Sequence, residues 1–173
     1  MDALDLLEQQ HRDLEGLFAA LGTAERAGRR TAAVAQLVRA IEAHSRVEES
    51  VFYAAFVERV GCSESRLYEA FEDHALLRFT AENLLHTRAT DVRFSARLKM
   101  VQQLFERHAL IEEDWMFPKA KRALHDEALD RLGDEIERAH AARLSVSPSM
   151  LDRARSRRRI ERTHDAERRI SVY

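Results

Sequence analysis

The sequence predicts an all-α protein, an up-down-up-down four-helix bundle with a short C-terminal fifth helix and a polar tail. The 173 residues include five Gly and two Pro, while Ala, Leu, Glu and Arg, which favour helices, are abundant. Four long segments carry apolar residues at helical spacing and are joined by short connections. We therefore expect a bundle domain over residues 1–144 and an Arg-rich tail over residues 145–173, flexible or a frayed helix.

The first two helices are predicted from their apolar spacing and from the residues at their ends. Apolar side chains recur every three or four positions from Ala3 to Leu21. Glycines within residues 22–30 are expected to break this pattern, and Thr31 is expected to cap the second helix. That helix continues to Gly61, which is predicted to end it.

The remaining helices follow in the same way. The third is expected to start within residues 63–65, and a turn at residues 90–91 separates it from the fourth. Pro118 lies near the end of the fourth helix and is expected to weaken or kink it. A shorter amphipathic segment over residues 124–144 predicts the fifth helix.

Composition and charge narrow the classes of function. The net charge of −2 gives no reason to expect binding to nucleic acid or to a membrane surface, and no stretch approaches the ~20 apolar residues of a membrane span. One cysteine, Cys62, excludes an internal disulfide, and no signal-peptide core is seen, so we expect a cytoplasmic protein. Residues 149–173 hold eight Arg against four acidic residues. This tail is expected to be solvated, with a protein partner as the alternative.

A His-x3-Glu-Glu pattern occurs twice, 64 residues apart, and the first carboxylate of each copy gives the motifs His44–Glu48 and His108–Glu112. Residues four apart lie on the same face of a helix. Each copy therefore directs an imidazole and a carboxylate toward the same point.

Two further histidines, His11 and His74, precede the two copies by 33 and 34 residues. Residue counts from the turns place all six side chains at one height in the bundle, and each lies within the apolar stripe of its helix. Buried carboxylates are costly without a cation, so this layer predicts a metal site or a dense proton-sharing network. The predicted metal ligands are His11, His44, Glu48, His74, His108 and Glu112.

This pattern resembles the hemerythrin family, specifically the HHE cation-binding hemerythrin-like domains, over roughly residues 1–125, and residues 126–144 are similar to their appended fifth helix. The resemblance implies a non-haem di-iron centre with an oxo or hydroxo bridge. It also implies that Glu48 and Glu112 are bridging ligands and that the four histidines are terminal ligands. Affinity order alone would favour zinc over iron(II), so the preference for iron over manganese or zinc comes from the resemblance.

The chain departs from the oxygen-carrying hemerythrins at two positions. Arg78 stands where they have a fifth histidine, and it cannot ligate because it stays protonated. They place an aspartate at the position of Glu113, which therefore remains an alternative to Glu112 as a ligand. Five-coordinate metals with an open position are expected, which argues against reversible oxygen carriage. Glu15, Glu49 and Glu113 are candidate partners for the outer imidazole nitrogens, and pseudo-symmetry predicts a Glu15–Arg78 pair.

Two functions follow as hypotheses. The first is a di-iron protein that reacts with peroxide, dioxygen or nitric oxide, with catalase-like or stress-protective chemistry. The second is a module that binds or senses oxygen or iron without turnover. Since no output domain is recognised in the sequence, a stand-alone reactive protein is favoured, and its expected partner is a small diatomic or peroxide ligand. A purely structural metal site is the third alternative.

Overall fold

The computed structural model describes residues 1–24, 26–61 and 65–145, and the regular structure over these ranges is helical throughout. The prediction of a four-helix bundle with an added C-terminal helix is confirmed. Residues 1–140 form one compact unit, and of the second unit, residues 141–173, only 141–145 at the end of the last helix are described. The predicted tail thus lies almost entirely outside the described residues.

The helical elements follow one another along the described ranges. They are α1 (Ala3–Gly22), α2 (Ala27–Val47), the π-helical segment π1 (Glu48–Phe52), α3 (Tyr53–Val60), α4 (Ser65–Leu85), α5 (Phe94–Ile111), the π-helical segment π2 (Glu112–Met116), α6 (Phe117–Ala123) and α7 (Asp126–Ser145).

Helix ends are set by local hydrogen bonds. The carboxylate of Asp2 accepts from the backbone N–H groups of Leu4 at 2.8 Å and Asp5 at 3.0 Å, which caps α1. Gly61 has a φ of 103° and ends α3, as predicted, because glycine adopts this conformation without steric cost. The predicted turn at residues 90–91 separates α4 from α5.

The predicted start of the second helix is wrong. Helix α2 begins at Ala27, so Gly28 lies inside its first turn and Thr31 is not a cap. The hydroxyl of Thr31 instead donates to the carbonyl oxygen of Ala27 at 3.1 Å. A glycine is tolerated there because the first turn has few intrahelical hydrogen bonds to lose. Residues 63 and 64, where the third helix was expected to start, lie outside the described residues, and α4 is described from Ser65.

The apolar core consists of two clusters with a polar layer between them. On α1, Leu7 belongs to the first cluster and Leu14 to the second, and His11 lies between them. On α4, Ala70 and Leu77 flank the layer in the same way. The helices that begin as α2 and α5 also pass from one cluster to the other at their His-x3-Glu motifs. The fold therefore buries this layer at mid-height between two apolar halves.

Helix α7 packs on the first cluster through Leu129, Leu132 and Ile136. Gly133 permits a close approach there, because a Cβ at this position would lie 2.5 Å from the backbone oxygen of Met1. Over the described ranges, no helix combines the length and apolar character that crossing a membrane requires.

Candidate metal centre

Both His-x3-Glu motifs end where the helix widens into a π-helical turn. π1 starts at Glu48 and π2 starts at Glu112. The backbone N–H of Tyr53 donates to the carbonyl oxygen of Glu48, and that of Phe117 donates to Glu112, each five residues back. Short π-helical turns inside α-helices are frequent at functional sites. The repeat in sequence is thus also a repeat in backbone geometry.

One half of the layer is centred on His74 and His108. Their Nε2 atoms lie 3.3 Å apart, and His74 Nε2 lies 3.1 Å from Glu48 Oε2. His108 Nε2 lies 3.5 Å from Glu48 Oε2 and 3.5 Å from Glu112 Oε2. Two nitrogens that bind one ion at ~2.1 Å are expected roughly 3 Å apart, so these two imidazoles fit a shared ion.

The other half is formed by His11 and His44, whose ring centroids lie 4.9 Å apart. His11 Nε2 is 3.3 Å from Glu112 Oε2 and 3.7 Å from Glu48 Oε1. His44 Nε2 is 3.1 Å from Glu48 Oε2. Both carboxylates therefore contact imidazoles of both halves, which is the arrangement that bridging ligands require.

The six side chains are each 1% exposed or less. Donor atoms from five of them lie within 4.8 Å of one another, and His74 joins this group through its contacts with Glu48 and His108. Several inward atoms have no hydrogen-bond partner among the described residues: His11 Nε2, His44 Nε2, Glu48 Oε1, Glu48 Oε2 and Glu112 Oε2. Buried polar atoms without partners are costly, and a cation at this point would satisfy them. The nitrogen and oxygen donors suit iron, manganese or zinc.

Glu49 lies behind His74, on the side away from the other imidazoles. Its Oε1 is 3.3 Å from His74 Nδ1 and accepts a hydrogen bond from Arg78 Nη1 at 2.5 Å. Arg46 Nη1 donates to the second carboxylate oxygen at 3.3 Å. The predicted Glu15–Arg78 pair is wrong, because α4 packs against α2, which carries Glu49 just beyond its end, while Glu15 is exposed on α1.

Glu113 contacts the outer nitrogen of His11, with its Oε1 2.7 Å from Nδ1. Its side chain is 41% exposed, whereas that of Glu112 is fully buried with Oε2 directed toward His11 Nε2 and His108 Nε2. The structure thus places Glu112 in the layer and Glu113 outside it. His86, His125 and His140 are not among the residues whose donor atoms cluster in the layer, and His164 lies outside the described residues.

Sequence reasoning missed Gln10. Its Oε1 lies 3.0 Å from His44 Nδ1 in the buried interior. Because an amide oxygen only accepts, Nδ1 carries the proton and His44 Nε2 presents its lone pair to the layer. No spacing rule identifies this residue, since it is a single polar side chain next to His11.

Sequence reasoning also missed Tyr53, the residue that follows π1. Its hydroxyl donates to Glu112 Oε1 at 2.6 Å, and its ring stacks on that of His74 with centroids 5.3 Å apart. Burial, together with the carboxylates of Glu112 and Glu48, raises the pKa of Tyr53 well above its usual value. The phenol is therefore a protonated donor fixed against one carboxylate of the layer.

Charges inside the layer are strongly coupled. Burial lowers the pKa of His44 well below its usual value. Burial also opposes a charge on His74, but Glu48 and Glu49 outweigh it and raise the pKa of His74 to about 9. Burial disfavours ionised Glu49, yet His74 and Arg78 lower the pKa of Glu49 to about 2. The carboxylates of Glu48 and Glu49 stay ionised, since the pKa of Glu48 is also lowered by the imidazoles around it despite its burial.

Comparison with known proteins agrees with this fold. The family model of the hemerythrin HHE cation binding domain matches residues 2–120. The fold is similar to the crystal structure of a hemerythrin HHE cation binding domain-containing protein, the Rv2633c homolog from Mycobacterium kansasii, with 20% sequence identity and a TM-score of 0.74. That match covers 83% of this chain and 88% of the other, and at this identity it shows the fold alone. The comparison with curated proteins gives no match.

Proposed function

The chain belongs to the hemerythrin HHE cation-binding family, and from this premise we propose that it is a non-haem di-iron protein that reacts with hydrogen peroxide, dioxygen or nitric oxide. The observation that carries the proposal is the buried layer of four imidazoles and two carboxylates with unpartnered inward atoms. Bound cations would stabilise such a layer, because without them its carboxylates and inward nitrogen atoms are buried without partners. Catalase-like removal of peroxide is the activity that this site would support.

Six residues are proposed to hold the two metal ions. The short distances within each imidazole pair support the assignment of one pair to each ion, and the two carboxylates contact both pairs. Glu48 and Glu112 are therefore proposed as bridges between the ions. The terminal ligands in this proposal are His11 and His44 for one ion and His74 and His108 for the other.

When bound, a pair of iron ions supplies the electron exchange that a two-electron reaction with peroxide requires, which zinc cannot do. The side chains of this chain orient and enclose the site. Gln10, Glu49 and Glu113 contact the outer nitrogens of three imidazoles and fix the direction of their inner nitrogens. Tyr53 holds a proton at its hydroxyl, 2.6 Å from Glu112 Oε1. Phe117 stacks on His11 at 6.0 Å and excludes water from that side.

A second candidate function is a binding or sensing module in which metal occupancy reports to a partner. The position of the layer between the two apolar clusters supports it. Because all four long helices meet at this layer, a metal that binds only the folded chain stabilises the whole bundle. The coupling between occupancy and stability that a sensor requires is thus available without turnover.

The first experiment measures metal content per chain and the visible spectrum before and after addition of hydrogen peroxide. We expect about two irons per chain, a spectral change on addition, and evolution of oxygen. Two irons without peroxide turnover would favour the binding or sensing function. Zinc, or no metal in protein produced with iron available, would refute the redox proposal.

A further inference from the structure

The proposed metal layer is closed to solvent, since its six side chains are each 1% exposed or less. A ligand must therefore cross a wall of the bundle to reach it. Between α1 and α5 the surface forms a pocket of about 380 Å³. Its lining consists of Glu15, Phe18, Ala19, Gly22, Gln102, Phe105 and Glu106.

Phe105 connects this pocket with the imidazoles. Phe105 belongs to the lining of the pocket, and its side chain is fully buried. The same ring meets His11 edge-on, with centroids 5.8 Å apart, and lies 6.4 Å from His108. One aromatic ring thus separates the pocket from an imidazole in each half of the layer.

The mouth of the pocket carries negative charge. Glu15 and Glu106 are exposed, and the side chain of Gln102 donates to Glu106 Oε1 at 2.8 Å, which holds that carboxylate in place. Carboxylates at a narrow entrance lower the local concentration of anions and leave uncharged molecules unaffected. An entrance of this kind would disfavour anions relative to uncharged molecules.

We propose that small uncharged ligands enter the metal layer through this pocket, with Phe105 as the gate and Glu15 and Glu106 as the residues that select against anions. The proposal rests on the proposed function and adds the route by which its ligands reach the metal layer and the anions that this route disfavours. Hydrogen peroxide, dioxygen and nitric oxide are all uncharged at neutral pH. Azide and nitrite, which could also bind an exposed metal, are anions.

Stopped-flow association of nitric oxide and of azide with the metal-loaded full chain tests the gate. We expect Phe105→Leu to accelerate both ligands several-fold, because it replaces a ring with a smaller side chain. Phe56→Leu is the matched control, since Phe56 is equally buried but packs against Phe52 and Trp115, away from the pocket. Equal association rates in Phe105→Leu and Phe56→Leu would refute the proposal that Phe105 is the gate.

A surface variant tests charge selection without disturbing the core. Glu15→Gln combined with Glu106→Gln should raise the association rate of azide at low ionic strength, with the difference falling as salt screens the charges. The rate of nitric oxide should not change. If azide gains nothing, the selection part of the proposal is wrong, and this result is accessible even where Phe105→Leu fails to fold.

Xenon under pressure separates this proposal from the di-iron function, because it needs no metal. Crystals of the Phe105→Leu variant should hold xenon between the pocket and the imidazoles, and crystals of Phe56→Leu should not hold it there. Absence of xenon in both, together with faster ligand entry in Glu113→Ala, would place the route past His11 and Glu113 instead. Protein that carries no iron would refute the proposed reaction, while the xenon result would still decide the route.

Discussion

The hydroxyl of Tyr53 donates a hydrogen bond to Glu112 Oε1 at 2.6 Å in the buried interior. Tyr53 comes from the second long helix and Glu112 from the fourth, and each stands at one end of a π-helical turn. The bond thus ties together the two copies of the sequence repeat. It leaves Glu112 Oε2 free to face the imidazoles, so one carboxylate serves both the bundle and the site.

Tyr53→Phe should destabilise the protein by about 1–3 kcal/mol, because Glu112 Oε1 loses its donor in a site that water does not reach. Metal binding should weaken as well, since the carboxylate is no longer held in one orientation. Denaturant unfolding and metal content measure the two effects. Tyr68→Phe is the control, because Tyr68 is 60% exposed, and it should change neither quantity. Equal stability of the two variants would show that the Tyr53 bond contributes nothing.

Glu48→Ala and Glu112→Ala should each lose metal, since each removes a proposed bridge between the two ions. Glu113→Ala should keep both ions, because its carboxylate contacts the outer nitrogen of His11 rather than the layer. Elemental analysis of the three purified variants gives the answer. Full metal content in Glu48→Ala and Glu112→Ala would refute the assignment of these residues as bridges. Metal loss confined to Glu113→Ala would show that Glu113, and not Glu112, is the ligand.

Much of the layer could be predicted from the sequence, because each helical residue advances a fixed distance along the helix axis and residue counts therefore give positions along the bundle. The spacing of His11, His44, His74 and His108 relative to the turns predicts four imidazoles at one level, and the structure places them there. The two glutamates follow from the spacing of four within a helix. These predictions depend on helical periodicity and not on details of packing.

Other features depend on packing that a single sequence does not encode in its spacing. The widened turn after Glu48 contains no glycine or proline that would predict it, whereas the turn after Glu112 ends two residues before Pro118, where the sequence predicts a weakened helix. Gln10 and Tyr53 are single polar residues outside any repeat. The predicted partner of Arg78 was wrong because pseudo-symmetry relates positions along helices but does not state which helices are neighbours.

Arg78→Gln should weaken metal binding about 10-fold, within the range typical of residues that support a ligand from behind. Arg78 Nη1 donates a hydrogen bond to Glu49 Oε1 at 2.5 Å, and the same oxygen lies 3.3 Å from His74 Nδ1. Arg46→Gln should have a smaller effect, because Arg46 is 43% exposed and its bond to Glu49 is 3.3 Å long. Competition titrations with zinc measure both affinities whichever metal the protein carries naturally. A larger loss of zinc affinity in Arg46→Gln than in Arg78→Gln would show that Arg46, and not Arg78, is the main support of Glu49.

Gly133→Ala tests whether the close contact between α7 and the N-terminal segment stabilises the bundle. The added methyl would lie 2.5 Å from the backbone oxygen of Met1 and 3.2 Å from the nitrogen of Ala3, and backbone atoms cannot move aside cheaply. We expect a loss of about 1–3 kcal/mol in the free energy of unfolding. Gly16→Ala is the control, since Gly16 lies in α1 with nothing within 4 Å of an added Cβ, and alanine there should stabilise the helix by roughly 0.5–1 kcal/mol. Thermal unfolding should therefore shift in opposite directions in the two variants. Stabilisation by both would mean that α7 does not rest on the N-terminal backbone in solution.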